Sequence, residues 1–89
     1  MAKPLTFLEE GWEDYLYWQT QDRKTLKRIN ALIQDILRNE KEGIGKPERL
    51  TGDFSGYWSR RIDEKNRLIY RITDEFIEIA GCRTHYGDK

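Results

Sequence analysis

The sequence predicts an α+β domain in which an N-terminal strand and two helices pack on a mainly antiparallel sheet. Between residues 10 and 39, apolar residues recur at the three- and four-residue spacing of amphipathic helices. After Pro47 they alternate with polar residues instead, as they do in half-buried strands. A chain of 89 residues buries only a modest share of its surface. One two-layer domain spanning residues 1–89 is therefore expected.

Two elements are predicted before residue 22. Residues 4–8 form an apolar run with β-branched and aromatic character, which is typical of a short strand that begins after Pro4. Residues 10–21 have apolar side chains at helical spacing and several carboxylates near the start, where the helix dipole favours them. This pattern predicts a short amphipathic helix with apolar positions at Trp12, Tyr15, Leu16 and Trp18.

A second, more strongly patterned helix is predicted from Asp22 to about Asn39. Asp22 suits the N-cap position because its carboxylate accepts hydrogen bonds from the free N–H groups of the first turn. Aliphatic residues then recur every three or four positions, at Leu26, Ile29, Ile33, Ile36 and Leu37. Two glycines and a proline follow too closely for the helix to continue, so residues 41–47 are predicted to form a loop.

Four further strands are predicted at residues 48–50, 57–62, 67–72 and 76–82, with turns at residues 64–65 and 74–75. In that register the last two strands place an apolar face against the helices. The cross-strand pairs on this face are Ile72 with Ile77, Tyr70 with Ile79, and Leu68 with Gly81.

The opposite face of the sheet is expected to be basic and aromatic. The same register places Arg71 opposite Glu78 and adds Trp58 and Arg60 beside Arg67 and Arg71. Arginines hold phosphates and an aromatic ring stacks on a base, so this mixture suits single-stranded RNA. In a protein with 36% charged residues, however, solvated ion pairs on a sheet give the same pattern, and the pattern alone favours that interpretation.

The charges balance in total but are unevenly placed. Sixteen Lys and Arg residues offset sixteen Asp and Glu residues, so the total does not indicate a general binder of nucleic acids or membranes. Residues 1–22 contain five acids and one base, whereas residues 23–49 contain eight bases and four acids. Any basic surface must therefore be local.

The sequence also argues against several classes of protein. Cys82 is the only cysteine, which excludes an internal disulfide and thiolate zinc clusters and fits a reducing cytoplasm. Because the chain also has only one histidine, neither a metal site nor a cofactor is expected. The N-terminus lacks a signal-peptide pattern and no stretch reaches transmembrane length, so a cytoplasmic protein without a membrane association is expected. Residues 43–46 lack the spacing of a nucleotide-binding loop.

Three residues together supply the groups needed to cleave RNA without a metal: Glu48, Arg67 and His85. Glu48 follows a rigid Gly-Lys-Pro segment and can act as a base, and His85 titrates near neutral pH and can donate a proton to a leaving oxygen. Arg67 can hold the phosphate between them. Taken singly, each is more commonly an ordinary surface residue.

The chain from about Leu5 to Tyr86 resembles the YoeB family, within the wider RelE-like toxins. In the N-terminal half the resemblance rests on the segments at residues 12–19, 27–30 and 45–48, with Leu50. In the C-terminal half it rests on residues 55–62, 66–70 and 82–86. Thr51 stands where relatives often have lysine, and residues 87–89 extend beyond the usual His-Tyr end.

The resemblance implies the RelE-like fold and a toxin of a type II toxin-antitoxin system, which inhibits translation by cutting messenger RNA in the ribosomal A site. It implies that Glu48 takes the proton of the RNA 2′-hydroxyl and that His85 protonates the departing 5′-oxygen. Arg67 would stabilise the phosphate and Tyr86 would orient the substrate. Arg61 would assist at the phosphate, although the predicted register places it on the apolar face. The further candidates for RNA binding are Lys46, Trp58, Arg60 and Arg71.

The resemblance also implies partners. These are a YefM-like antitoxin whose disordered tail folds over the toxin, the ribosome with its mRNA, a second copy in a homodimer, and operator DNA only through the antitoxin complex. Two alternatives stay open: a gyrase-inhibiting toxin of the same fold, and a non-catalytic antitoxin-binding or corepressor module. Neither requires Glu48, Arg67 and His85 together.

Overall fold

A computed structural model describes residues 3–84. The chain forms two helices and five strands, with a short 3-10 helix at Gly52–Phe54. In chain order these are β1 (Leu5–Phe7), α1 (Glu9–Gln21), α2 (Arg23–Arg38), β2 (Glu48–Arg49), β3 (Tyr57–Arg61), β4 (Arg67–Ile72) and β5 (Ile77–Thr84). The predicted α+β class is confirmed, and each predicted helix and strand is present with bounds close to those expected.

The strands form one mixed sheet in the order β1-β5-β4-β3-β2. β1 runs parallel to β5, and the other three neighbouring pairs are antiparallel. The mainly antiparallel sheet is therefore confirmed, whereas the parallel pairing of the first strand with the last was not predicted. Both helices lie between β1 and β2 in the chain and cover one face of the sheet.

Helix α2 confirms its prediction. Oδ1 of Asp22 accepts hydrogen bonds from the N–H groups of Lys24 and Thr25, at 3.0 and 3.3 Å. One side of the helix is buried in the core, through Ile29, Leu32, Ile33 and Ile36. These residues pack against Leu68, Tyr70, Ile77, Ile79 and Cys82 of the sheet.

The predicted apolar side of α1 is wrong in part. Trp12 and Leu16 are 46% and 43% exposed, and the residues that α1 buries are Gly11 and Trp18. A Cβ atom on Gly11 would collide with the carbonyl oxygen of Ile79, so only glycine lets the helix approach β5 this closely. The approach turns Trp18 into the core, where its indole N–H donates to the Cys82 carbonyl at 2.8 Å.

The hairpin of β4 and β5 has the predicted register near its turn. Ile72 pairs with Ile77, and Arg71 pairs with Glu78, as expected. Further along, the strands shift by one residue, so that Gly81 pairs with Ile69 and not with Leu68. An extra residue on β5 produces this bulge, which lies outside what alternation alone can predict.

The register of β3 and β4 differs from the prediction by one residue. Arg61 pairs with Arg67, and the turn spans residues 62–66 rather than centring on 64–65. Oδ1 of Asp63 accepts hydrogen bonds from the N–H groups of Lys65 and Asn66, at 2.8 and 2.6 Å, which stabilises the longer turn. Because side chains alternate between faces, the slip moves every side chain of β3 to the other side of the sheet.

The slip makes the expected position of Arg60 wrong. Arg60 is fully buried on the helix side, where Nη1 lies 2.6 Å from Oδ2 of Asp35 and Nε donates to the Tyr70 hydroxyl at 3.0 Å. Its guanidinium also donates to backbone carbonyls of the loop after α2, at Asn39, Glu40, Glu42 and Ile44. A buried charge is tolerated when it is paired and fully hydrogen-bonded. Arg60 therefore holds the loop and does not face solvent as an RNA contact.

Trp58 is likewise not on the open face. It pairs with Tyr70 on the helix side, packs half-buried against the core, and lies under the guanidinium of Arg49 at 5.9 Å. The expectation that its ring stands beside Arg67 and Arg71 is wrong. The same slip corrects Arg61, which lies on the open side and not on the apolar face.

Candidate functional site

The sheet face turned away from the helices, here called the open face, carries four of the predicted site residues. It carries side chains from four adjacent strands, at Glu48, Ser59, Arg61, Arg67, Arg71 and Glu78. Glu48 lies directly opposite Ser59, and Arg61 lies directly opposite Arg67. A carboxylate and two guanidinium groups from three different strands thus lie on one surface.

Glu48 and Arg67 are in contact across β3. Oε1 of Glu48 lies 3.6 Å from Nη1 of Arg67, and the two side chains are 69% and 30% exposed. This is a long, solvated ion pair, which contributes little to stability. The carboxylate remains open to a substrate that enters between it and the guanidinium.

Arg61 and Arg67 place two positive charges side by side. Like charges directly opposite each other destabilise a sheet. Arg61 is exposed. Among residues 3–84, the carboxylate that pairs with Arg67 is that of Glu48, at 3.6 Å. An anion such as a phosphate would relieve this repulsion and would bind both guanidinium groups.

The segment that leads to Glu48 is held in an unusual backbone conformation. Gly45 and Lys46 both have positive φ angles, of 82° and 53°. For lysine this conformation costs on the order of 1 kcal/mol. The Gly45 carbonyl accepts the N–H of Arg61 at 2.7 Å, which fixes the segment to β3. Lys46 is exposed two residues before Glu48, and the fixed backbone orients the strand that carries Glu48.

Arg71 lies on the open face as predicted, and its guanidinium contacts two neighbouring side chains. Its Nη2 atom lies 3.0 Å from Oε1 of Glu78, and its guanidinium lies 6.0 Å from the centre of the Phe76 ring. Arg71 is four residues from Arg67 along β4, which corresponds to roughly 13 Å. It therefore belongs to the rim of the face, away from the contact of Glu48 with Arg67.

Ser59 is a polar residue that the sequence interpretation missed. It lies opposite Glu48 and is buried, and its hydroxyl has no hydrogen-bond partner among residues 3–84. A buried polar atom without a partner is uncommon and marks a position where a further group can bind. Ser59 and Arg61 are two residues apart on β3 and therefore share a face of the sheet. With the correct register, this spacing would have placed Ser59 on the open face.

His85 and Tyr86, the predicted acid and substrate-orienting residue, lie outside the described residues. Thr84, the last described residue, pairs with Arg67 and immediately precedes His85 in the sequence. Within residues 3–84, no group of three His, Cys, Asp or Glu side chains converges as a metal site would require. No helix of the same range is long and apolar enough to cross a membrane.

Comparison with known proteins identifies close relatives. The family model described as "YoeB-like toxin of bacterial type II toxin-antitoxin system" matches residues 7–86. Toxin YoeB of Streptomyces coelicolor is 56% identical over 82 residues, which cover 92% of this chain and 98% of that protein.

Solved structures agree. A YoeB dimer from Staphylococcus aureus is 46% identical with a TM-score of 0.89, over 97% of this chain and 100% of the other. A YoeB-YefM complex from the same organism is 45% identical with a TM-score of 0.86, with the same coverage.

Proposed function

Because this chain belongs to the YoeB-like toxins of bacterial type II toxin-antitoxin systems, we propose that it is an endoribonuclease that cuts messenger RNA in the ribosomal A site. The observation that supports this most directly is the contact of Glu48 with Arg67, beside Arg61 on the open face. A base next to two phosphate-binding cations is what cleavage of a phosphodiester requires.

In the proposed reaction the carboxylate of Glu48 removes the proton of a 2′-hydroxyl. The resulting oxygen attacks the neighbouring phosphorus, and the bond from phosphorus to the 5′-oxygen breaks. His85 donates a proton to that oxygen, so the products are a cyclic phosphate and a 5′-hydroxyl. Arg67 and Arg61 balance the negative charge that accumulates on the phosphate oxygens. Tyr86 orients the substrate, and the roles of His85 and Tyr86 rest on the resemblance in sequence.

The ribosome supplies what the site lacks. The net charge of the chain is zero, and the described part of the proposed site consists of one carboxylate and two guanidinium groups. Such a protein has little general affinity for RNA, so we propose that the ribosome presents the mRNA in a reactive conformation. Positioning of this kind accounts for a large part of the rate enhancement in many enzymes. Lys46 and Arg71 would hold the strand on either side of the cleaved bond.

Two partners are proposed from the similar structures. One is named as a YoeB dimer and the other as a YoeB-YefM complex. We propose that this chain likewise forms a homodimer and binds a YefM-like antitoxin, and that it contacts operator DNA only through that antitoxin. An antitoxin segment that covers the open face would compete with the RNA for Glu48 and Arg67.

The test maps mRNA ends in a purified translation system, with and without ribosomes. We expect cuts that require ribosomes in the wild type and none in the Glu48→Ala or His85→Ala variants. A toxin that inhibits gyrase would instead block supercoiling and leave the mRNA intact. A non-catalytic module would give the same growth effect in the wild type and in both variants.

A further inference from the structure

The first two turns of α2 carry four cations close together, here called the α2 basic face: Arg23, Lys24, Lys27 and Arg28. The first three are exposed, and Arg28 is half-buried. None of the four forms an ion pair with a carboxylate of residues 3–84. The one acid of α2 is Asp35, whose carboxylate is bound to the buried Arg60. The N-cap carboxylate of Asp22 interacts electrostatically with Lys24, so within the described part of the chain this face keeps an excess of positive charge.

This arrangement opposes the stability of the helix that carries it. Arg23 and Lys27 are four residues apart, as are Lys24 and Arg28, and like charges at that spacing repel. Cations in the first turn also oppose the helix dipole, which favours acids there, and the first turn of α2 has none. No carboxylate forms an ion pair with these four cations among residues 3–84, and a cluster that violates two local preferences in this way indicates a function other than folding.

The face also has a shape that can hold a ligand. A surface cleft of about 600 Å³ lies between the end of α1 and the start of α2. Its lining consists of Gln19, Arg23, Lys24, Leu26 and Lys27. Three of these five are cations and none is an acid. Lysine ammonium groups are mobile point charges, which suit a phosphate backbone better than the edge of a particular base.

The α2 basic face is continuous with the open face. Nη2 of Arg28 donates to the carbonyl oxygen of Arg61 at 3.1 Å, and the side chain of Arg61 lies opposite Arg67. Arg28 therefore connects the α2 basic face to the end of β3 that carries Arg61. Helix α1 has the opposite character, with four acids and no base at Glu9, Glu10, Glu13 and Asp14. Such a charge distribution orients a protein as it approaches a polyanion.

We propose that the α2 basic face binds the phosphate backbone of a folded RNA next to the strand that is cut, and that this contact docks the toxin on the ribosome. This inference rests on the proposed function, and it assigns to α2 a role that is separate from the chemistry. The folded RNA is recognised by its phosphates, so no base sequence is required of it.

The test uses a triple variant with Arg23→Gln, Lys24→Gln and Lys27→Gln, which keeps the side chains long and helical. Binding to purified ribosomes that carry a defined mRNA is measured by sedimentation at several salt concentrations. We expect a loss of affinity of about tenfold to a hundredfold at physiological salt, and a plot of log affinity against log salt whose slope falls by about two to three. Cleavage at saturating ribosomes should keep its kcat while KM rises. The melting temperature should equal or exceed that of the wild type, because repulsion in α2 is removed.

A matched control removes the same charge elsewhere, with Arg38→Gln, Lys41→Gln and Lys65→Gln. These three side chains are also exposed. The control should bind ribosomes with an affinity close to that of the wild type. If it loses as much affinity as the first variant, or if the first variant binds as the wild type does, the inference is overturned. A loss of antitoxin binding with unchanged ribosome binding would also overturn it, since the face would then serve a protein.

The Glu48→Ala variant separates this inference from the proposed function. It should bind ribosomes normally and cut nothing. If the wild type neither binds ribosomes nor cuts mRNA, the proposed function fails, whereas normal cutting and binding by the triple α2 variant defeats only the docking role.

Discussion

Arg61 and Arg67 face each other directly across β3 and β4, on the side of the sheet that carries Glu48. Two guanidinium groups in this position repel each other in the free protein and attract the same phosphate in a complex. If a phosphate binds to this pair, as proposed, its binding would offset a small loss of stability. The pair also shows that the site is organised by strand register, since a shift of one residue would separate the two arginines.

Arg67→Ala should abolish most of the cleavage while leaving the fold intact. We expect a decrease in kcat of about 100- to 1000-fold, because a group that stabilises charge in the transition state is lost. The melting temperature should not fall, since within residues 3–84 Arg67 makes one long ion pair and it is repelled by Arg61. Arg49→Ala is the matched control, because Arg49 lies on the other side of the same sheet, against Trp58. Equal effects of the two substitutions on cleavage would contradict the site.

Arg60→Ala should destabilise the protein far more than Arg61→Ala does. Removing the buried guanidinium leaves the Asp35 carboxylate without its charge partner and several carbonyl groups without a donor, at a cost of about 3 to 5 kcal/mol in the free energy of unfolding. Arg61→Ala removes an exposed side chain and should change it by about 0.5 kcal/mol or less. Urea unfolding measures both values. Arg60→Lys should not restore stability, because one ammonium cannot reach all of these acceptors.

The different behaviour of these neighbours explains where prediction from sequence succeeds and fails. Helix α2 was predicted well because a strong cap at Asp22 and a regular apolar period agree with each other. Strand β3 was placed in the wrong register because the Asp63 carboxylate lengthens the turn by means of side-chain hydrogen bonds. Alternation of side chains describes both registers equally well, so only the turn decides which arginine is buried.

The observed position of Arg61 agrees with the resemblance and not with the predicted register. The resemblance implied that Arg61 acts at the phosphate, and the structure places Arg61 beside Arg67, whereas the predicted register had placed it on the apolar face. Arg60 is also an arginine and lies next to Arg61 in the sequence. Its burial depends on the distant Asp35 and on Tyr70, which no local pattern can indicate.

Gly11→Ala should destabilise the protein although alanine is the better helix former. At an exposed helical position this substitution gains about 1 kcal/mol. Here the added methyl group would press on the Ile79 carbonyl, and overpacking of this kind typically costs about 1 to 3 kcal/mol. Thr20→Ala, at an exposed position of the same helix, should leave the urea midpoint unchanged or slightly higher. A higher midpoint for Gly11→Ala would contradict the close approach of α1 to β5.

Cys82 should be nearly inert in the folded protein. Burial, assisted by the negative charge of Asp14, raises the pKa of its thiol from 9.0 to about 12, so the reactive thiolate is scarce at neutral pH. Because the folded state holds this proton more tightly, its contribution to stability is present below pH 9 and is lost as the pH rises towards 12. Iodoacetamide labelling between pH 7 and 9 should therefore accelerate with pH in urea and stay slow in native buffer. Cys82→Ala provides the blank, and equal labelling rates in the two conditions would show that the thiol is not buried against α1.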